Sequence, residues 1–113
     1  MRPEYLTQRL DDPQYEIYLP LVYNTGAPIE EQKFIQTRKD LFSKFEGLSV
    51  IPPNVLVEGY WQSDGITYRD QNVIFKILTI EDEDDFFSQY KEILRKRFDQ
   101  EEILIVKTPA EKL

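Results

Sequence analysis

The chain contains no cysteine and no histidine. The first absence removes disulfide scaffolds, thiolate nucleophiles and zinc–thiolate sites together. The second removes the commonest metal ligand and the commonest general base near neutral pH. No apolar run approaches the roughly 20 residues of a membrane span, and the opening Met1–Pro13 is too polar for a signal peptide. Positive charge is also scarce. Fourteen Lys and Arg against 21 Asp and Glu leave a net charge of −7, which repels phosphate backbones unless a local basic patch intervenes. The expectation is a cytoplasmic protein with no nucleic-acid partner, no membrane partner, and no metal or other cofactor.

What is present is enough for a hydrophobic core. Of 113 residues, 41% are hydrophobic and 31% charged, with seven Tyr, seven Phe and one Trp, the composition of a globular domain. Residues 1–13 lack sustained periodicity and read as an N-terminal arm, leaving 14–113 as one domain. Apolar residues alternate at Tyr15, Ile17, Leu19, Leu21 and Tyr23, a strand pattern interrupted by Pro20, which cannot donate a ladder hydrogen bond. Asn24-Thr25-Gly26-Ala27 reads as a turn and Pro28 as the first residue of a helix. Phe34, Ile35, Leu41, Phe42 and Phe45 give that helix one apolar stripe, and Gly47 is its expected stop.

Ile51-Pro52-Pro53-Asn54 reads as a loop. Val55–Gln62 then reads as a strand, Ser63-Asp64-Gly65 as a hairpin turn and Ile66–Arg69 as its return. Asp70-Gln71-Asn72 is expected to interrupt that return before the apolar strand Val73–Ile80. A second helix opens within Glu81–Asp85, buries Phe86, Phe87, Tyr90, Ile93, Leu94 and Phe98, and places Lys91, Arg95, Lys96 and Arg97 toward its C-terminus, as the macrodipole favours. Ile103–Val106 is a short last strand.

Strand, helix, hairpin, helix, strand is the α+β, ferredoxin-like β-α-β-β-α-β order: a four-stranded antiparallel sheet with two helices on one face. The period-two rule sorts the strand residues. Tyr15, Ile17, Leu19, Leu21, Val55, Val57, Trp61, Val73, Phe75, Ile77, Ile103 and Ile105 form an apolar set that takes the helices. The opposite set carries charge at Glu16, Glu58 and Lys76 and so faces away from them. It is nevertheless rich in apolar residues: Tyr18, Val22, Leu56, Tyr60, Ile74, Leu78, Leu104 and Val106. Monomers seldom expose a contiguous apolar patch of that kind, so these eight are the expected homodimer interface.

Gly47-Leu48-Ser49-Val50, Gly59-Tyr60-Trp61 with Asp64-Gly65, then Tyr90-Lys91, Arg97-Phe98 and Gln100-Glu101 form a recognisable series. Over about Tyr15 to Pro109 the chain resembles an uncharacterised family of small bacterial proteins, known only as a domain of unknown function. The resemblance implies no activity and no catalytic residues. Members of that family often begin with an export signal, and the polar opening of this chain departs from them.

The run Glu81-Asp82-Glu83-Asp84-Asp85 lacks the glycine and terminal bidentate glutamate of a calcium loop and reads as an acidic helix start. Lys91, Arg95, Lys96 and Arg97 read as a solvated final stretch of helix, not a nucleic-acid stripe, and the third strand offers Ile74, Lys76 and Leu78 where an RNA-recognition sheet stacks aromatics. The loop Asn24-Thr25-Gly26-Ala27 lacks the arginine of an acylphosphatase-like site, and Tyr23-Asn24 lacks the aspartate of a nuclease of similar topology. Glu58, Tyr60 and Lys76 are the remaining constellation. On one apolar face they form either a cross-strand ion pair beside a tyrosine or, in a covered cavity, acid–base groups for a small-molecule ligand. The first reading is preferred. The expected function is therefore a non-catalytic binding or assembly module. The alternative is a small-molecule enzyme or ligand carrier of the dimeric α+β-barrel type.

Overall fold

The computed structural model describes residues 13–51, 58–63 and 66–109. In chain order the elements are β1 (Pro13–Pro20), α1 (Glu31–Lys44), β2 (Gly47–Ile51), β3 (Glu58–Ser63), β4 (Ile66–Leu78), α2 (Asp84–Arg97) and β5 (Leu104–Pro109). Four strands form one antiparallel path in the order β2-β4-β1-β5, and β3 pairs with the first half of β4 as a hairpin. Because β2 and β3 both pair with β4, together they fill the second-strand position, and the whole is the ferredoxin-like β-α-β-β-α-β arrangement.

Alternation decides which face takes the helices. Along β1, Pro13, Tyr15, Ile17 and Leu19 are buried while Gln14, Glu16, Tyr18 and Pro20 are half-buried. Tyr15, Ile17, Leu19, Val73, Phe75, Ile77 and Ile103 join one core cluster with Leu41 and Phe45 of the α1 region and Phe87, Tyr90, Leu94 and Phe98 of the α2 region. Aromatic stacking ties the layers together: Tyr15 lies 4.1 Å from Phe87 and Phe34 packs edge-on against Phe98 at 5.2 Å, measured between ring centroids.

Charge placement suits both helices, with Glu31 in the first turn of α1, Asp84 and Asp85 in that of α2, and Arg95, Lys96 and Arg97 in the last turn of α2. The end of α2 is a Schellman motif: Asp99 adopts φ 51°, Gln100 N–H donates to the Arg95 carbonyl (2.9 Å) and Asp99 N–H to that of Lys96 (3.4 Å). Gly26, at φ +90°, supplies the left-handed residue of the turn after β1.

Several expectations are corrected. The strand beside the core half of β4 is Gly47–Ile51, a segment expected to open on a helix stop at Gly47 and to enter a loop at Ile51, with no strand between them. Gly47 does not end the helix; a Cβ there would come within 3.2 Å of the Leu78 Cβ, so the residue serves a close strand approach. Asp70-Gln71-Asn72 does not interrupt β4, because hairpin partners Glu58 and Gly59 and then β1 keep the ladder continuous. Pro20 ends β1, and Pro28 bridges to Val22 three residues before α1 begins, so Val22 stands beyond the sheet. Phe42 and Ile93 leave the apolar stripes, at 69% and 49% exposure, because Leu41 and Leu94 occupy the inward positions beside them.

Candidate functional site

The helix-free face is best read as three rows crossing the sheet. In the order β2, β4, β1, β5 the register places Ile51, Ile74, Tyr18 and Leu104 in one row, Ser49, Lys76, Glu16 and Val106 in the next, and Gly47, Leu78, Gln14 and Thr108 in the third. Directly opposed residues of antiparallel strands project to the same side. The central row therefore holds two opposite charges at its middle, the row of Ile51, Ile74, Tyr18 and Leu104 is apolar, and the third offers Leu78 among Gly47, Gln14 and Thr108.

Glu16 is the hub of this face. Its Oε1 accepts from Gln14 Nε2 (2.8 Å), its Oε2 accepts from the Tyr18 hydroxyl (2.7 Å), and Lys76 Nζ lies 4.0 Å from Oε1. The hydrogen bond to Glu16, then burial, holds the Tyr18 hydroxyl above its ordinary pKa. Tyr18 thus stays protonated and donating through the physiological range. The carboxylate is oriented by two neutral donors and keeps a cation at the edge of ion-pair distance. Around this ladder Leu78 and Leu104 remain 38% and 56% exposed, whereas Ile74, between Ile51 and Tyr18, is only 3% exposed.

Of the expected interface, Tyr18, Ile74, Leu78, Leu104 and Val106 share this face, Tyr60 lies on β3 opposite Arg69, Val22 lies outside the sheet, and Leu56 lies outside the described residues. The constellation Glu58, Tyr60 and Lys76 is not assembled as cross-strand neighbours. Glu58 pairs with Gln71 and Tyr60 with Arg69, while Lys76 pairs with Glu16 and Ser49. Gln71 and Lys76 are five positions apart on β4, about 17 Å at roughly 3.3 Å per residue. The partner of Lys76 is Glu16. Its signal was in the sequence, since both charges fall on the same alternation set, but assigning the neighbouring strand to Val55–Gln62 drew the pair to Glu58 instead.

Two other polar centres serve the packing of the helices. Between α1 and α2, Asp40 accepts from Arg97 NH2 (2.8 Å), the Tyr90 hydroxyl (3.0 Å) and Gln36 Nε2 (2.7 Å), and Arg97 NH1 also reaches Thr37 Oγ1 at 2.9 Å. Burial alone would raise the Asp40 carboxyl, but these donors outweigh it and hold its pKa below the ordinary value. At the start of α2 the Tyr15 hydroxyl donates to Asp84 Oδ1 (2.7 Å) and accepts from Glu83 N–H (2.9 Å), and burial followed by the Asp84 contact pushes its pKa up to about 12. Lys107 Nζ is 2.6 Å from Asp82 and 3.1 Å from Asp84. The acidic run is thereby drawn into ion pairs at a helix start, and among the described residues no three acidic groups converge as a metal site. No described helix is long and apolar enough to cross a membrane.

The chain was compared with known protein families and with curated proteins: no family model matches it, and no curated protein matches it significantly.

Proposed function

We propose that the chain is a non-catalytic assembly module whose helix-free sheet face binds a second copy of itself. The observation that carries this reading is the central Glu16–Lys76 pair, set among exposed Leu78 and Leu104. A twofold axis running along the strands between β4 and β1 lays each Lys76 over the Glu16 of the second copy, and each Leu104 over its Ile51. An isologous contact requires that kind of self-complementarity. The polar ladder needs no water to satisfy Glu16, so covering it leaves no unpaired carboxylate.

A stable contact of standard size buries about 800 Å² on each partner. The three rows, roughly 13 by 14 Å between Cα positions, span less than a quarter of that, so the proposed contact extends beyond them. The test is the double variant Leu78→Glu with Leu104→Glu. Both positions are exposed and on the open face, so the expected result by light scattering is half the wild-type mass with an unchanged circular dichroism spectrum. Equal masses for the two proteins would reject the reading. Ile74→Glu is unsuited to this test, because its buried side chain makes loss of folding indistinguishable from loss of association.

A further inference from the structure

On the opposite side of the sheet, α1 and the edge strand β2 leave a groove of about 380 Å³ lined by Arg38, Lys39, Phe42, Leu48 and Val50. We infer that this groove docks an extended segment of another protein in which acidic and large apolar residues share one face, at every second position, added as a strand alongside β2. The inference is independent of the sheet-face contact proposed above.

Three observations converge on that occupant. First, β2 ends the strand path, and among the described residues its strand neighbour is β4 alone. An antiparallel edge strand turns the N–H and C=O of alternate residues outward, unpaired and ready to template another strand. Second, the side chains beside this edge are apolar and uncovered. Phe42 is 69% and Val50 42% exposed, and Leu48, two positions before Val50, is half-buried against the core. A lone exposed phenylalanine needs no explanation, but Phe42 is contiguous with two β2 side chains at the period-two spacing into which alternate side chains of an added strand drop.

Third, the charge at this groove has the wrong sign for the molecule. In a chain of net charge −7, Arg38 and Lys39 are exposed and make no hydrogen bond or ion pair with the described residues. Elsewhere Lys33, Lys44, Lys76, Lys91, Arg95, Arg97 and Lys107 each meet a carboxylate, and among the described residues Lys96 is a single uncommitted cation where Arg38 and Lys39 are an adjacent pair. Two uncommitted cations, one of them an arginine, flanking an exposed aromatic select a ligand with carboxylates next to apolar side chains. Backbone pairing supplies affinity, and on the face turned to the groove the Phe42–Leu48–Val50 surface reads the apolar residues while Arg38 with Lys39 reads the acids two positions along.

The test uses the wild-type chain, isotope-labelled for NMR, and the end-capped peptide Thr-Glu-Thr-Leu-Thr-Val-Thr-Glu-Thr, whose Glu, Leu and Val share one face of a strand, its twin with Lys for Glu, and a fully N-methylated form. The acidic peptide is expected to shift the amide resonances of Gly47–Ile51 and Arg38–Phe42, and to bind at least tenfold more tightly than either of the other peptides. Phe42→Ser, and separately Arg38→Glu with Lys39→Glu, should each weaken it tenfold or more. All three positions are exposed on a helix, so their circular dichroism should match wild type. Leu78→Glu, on the opposite face, should leave the peptide affinity unchanged. The inference is overturned if the Lys peptide binds equally well, if the shifts fall outside these segments, or if millimolar peptide produces none. Self-association lost in Phe42→Ser without peptide would also overturn it, by making a second copy the occupant.

Discussion

At the scale of single residues, two tyrosines report how the interior is built. Burial is the main cause that pushes both Tyr15 and Tyr90 up to about 12, with Asp84 beside the first and Asp40 beside the second. An unfolded chain ionises tyrosine near 10. Between about pH 10 and 12 the native state therefore holds protons that the unfolded state has released, and stability falls as pH rises through that window; below it the contribution is complete. In a spectrophotometric titration of the seven tyrosines, a late-ionising fraction is expected, and Tyr15→Phe and Tyr90→Phe should each remove part of it. A titration in which neither variant changes the late fraction would contradict the burial of these hydroxyls. The identity of both tyrosines as inward residues was legible from alternation and helical spacing. Their hydroxyl partners were not, because Asp84 lies 69 positions and Asp40 50 positions away along the chain.

At the scale of elements, the helix ends and the inter-helix clamp give two further expectations. Asp99 occupies the left-handed position of the Schellman motif, a conformation that costs a residue with a Cβ roughly 1–2 kcal/mol. Asp99→Gly should raise stability by about 1 kcal/mol in urea unfolding once glycine's larger chain entropy is offset against that strain; a loss of stability would show that the Asp99 side chain supports the cap. The clamp behaves oppositely. Removing Arg97, whose side chain is 18% exposed against 27% for Asp40, leaves a partly buried carboxylate with only neutral donors. Arg97→Met should cost about 1.5–3 kcal/mol. It should also bring the Asp40 carboxyl back up toward its ordinary pKa, read by carboxyl NMR titration. In the wild type the lowered carboxyl contributes stability that is present above the unfolded pKa and lost as pH falls through the folded one.

The elements also show where pattern reading stops. Both helices were legible because each carries several apolar residues at helical spacing. Gly47–Ile51 was not, because a five-residue strand directly after a helix, with Gly47 where a cap is expected and Pro52 following, carries the punctuation of a loop. Its strand character comes from Phe75 and Ile77 waiting opposite Val50 and Leu48, which is tertiary information. Phe42 failed for a related reason: a stripe broad enough to include both Leu41 and Phe42 exceeds what one packed face can accept, and the sheet takes Leu41.

At the scale of the whole molecule, the element order and the two-faced sheet were readable from alternation, and they carry the fold. The candidate site was half readable. Tyr18, Ile74, Leu78, Leu104 and Val106 are together as expected, whereas the charged centre is Glu16–Lys76 and not Glu58–Lys76. That substitution sharpens the functional proposal, since an adjacent acid and base on neighbouring central strands is complementary to its own twofold image. Each charge reversal alone, Glu16→Lys or Lys76→Glu, puts like charges across the proposed contact, while the two variants complement one another. The most direct measurement is sedimentation velocity at micromolar concentration on wild type, on each single variant, and on their equimolar mixture. The account predicts a wild-type dimer, two folded monomers for the separate variants, and a dimer again in the mixture. A monomeric wild type, or a mixture that stays monomeric, would contradict it.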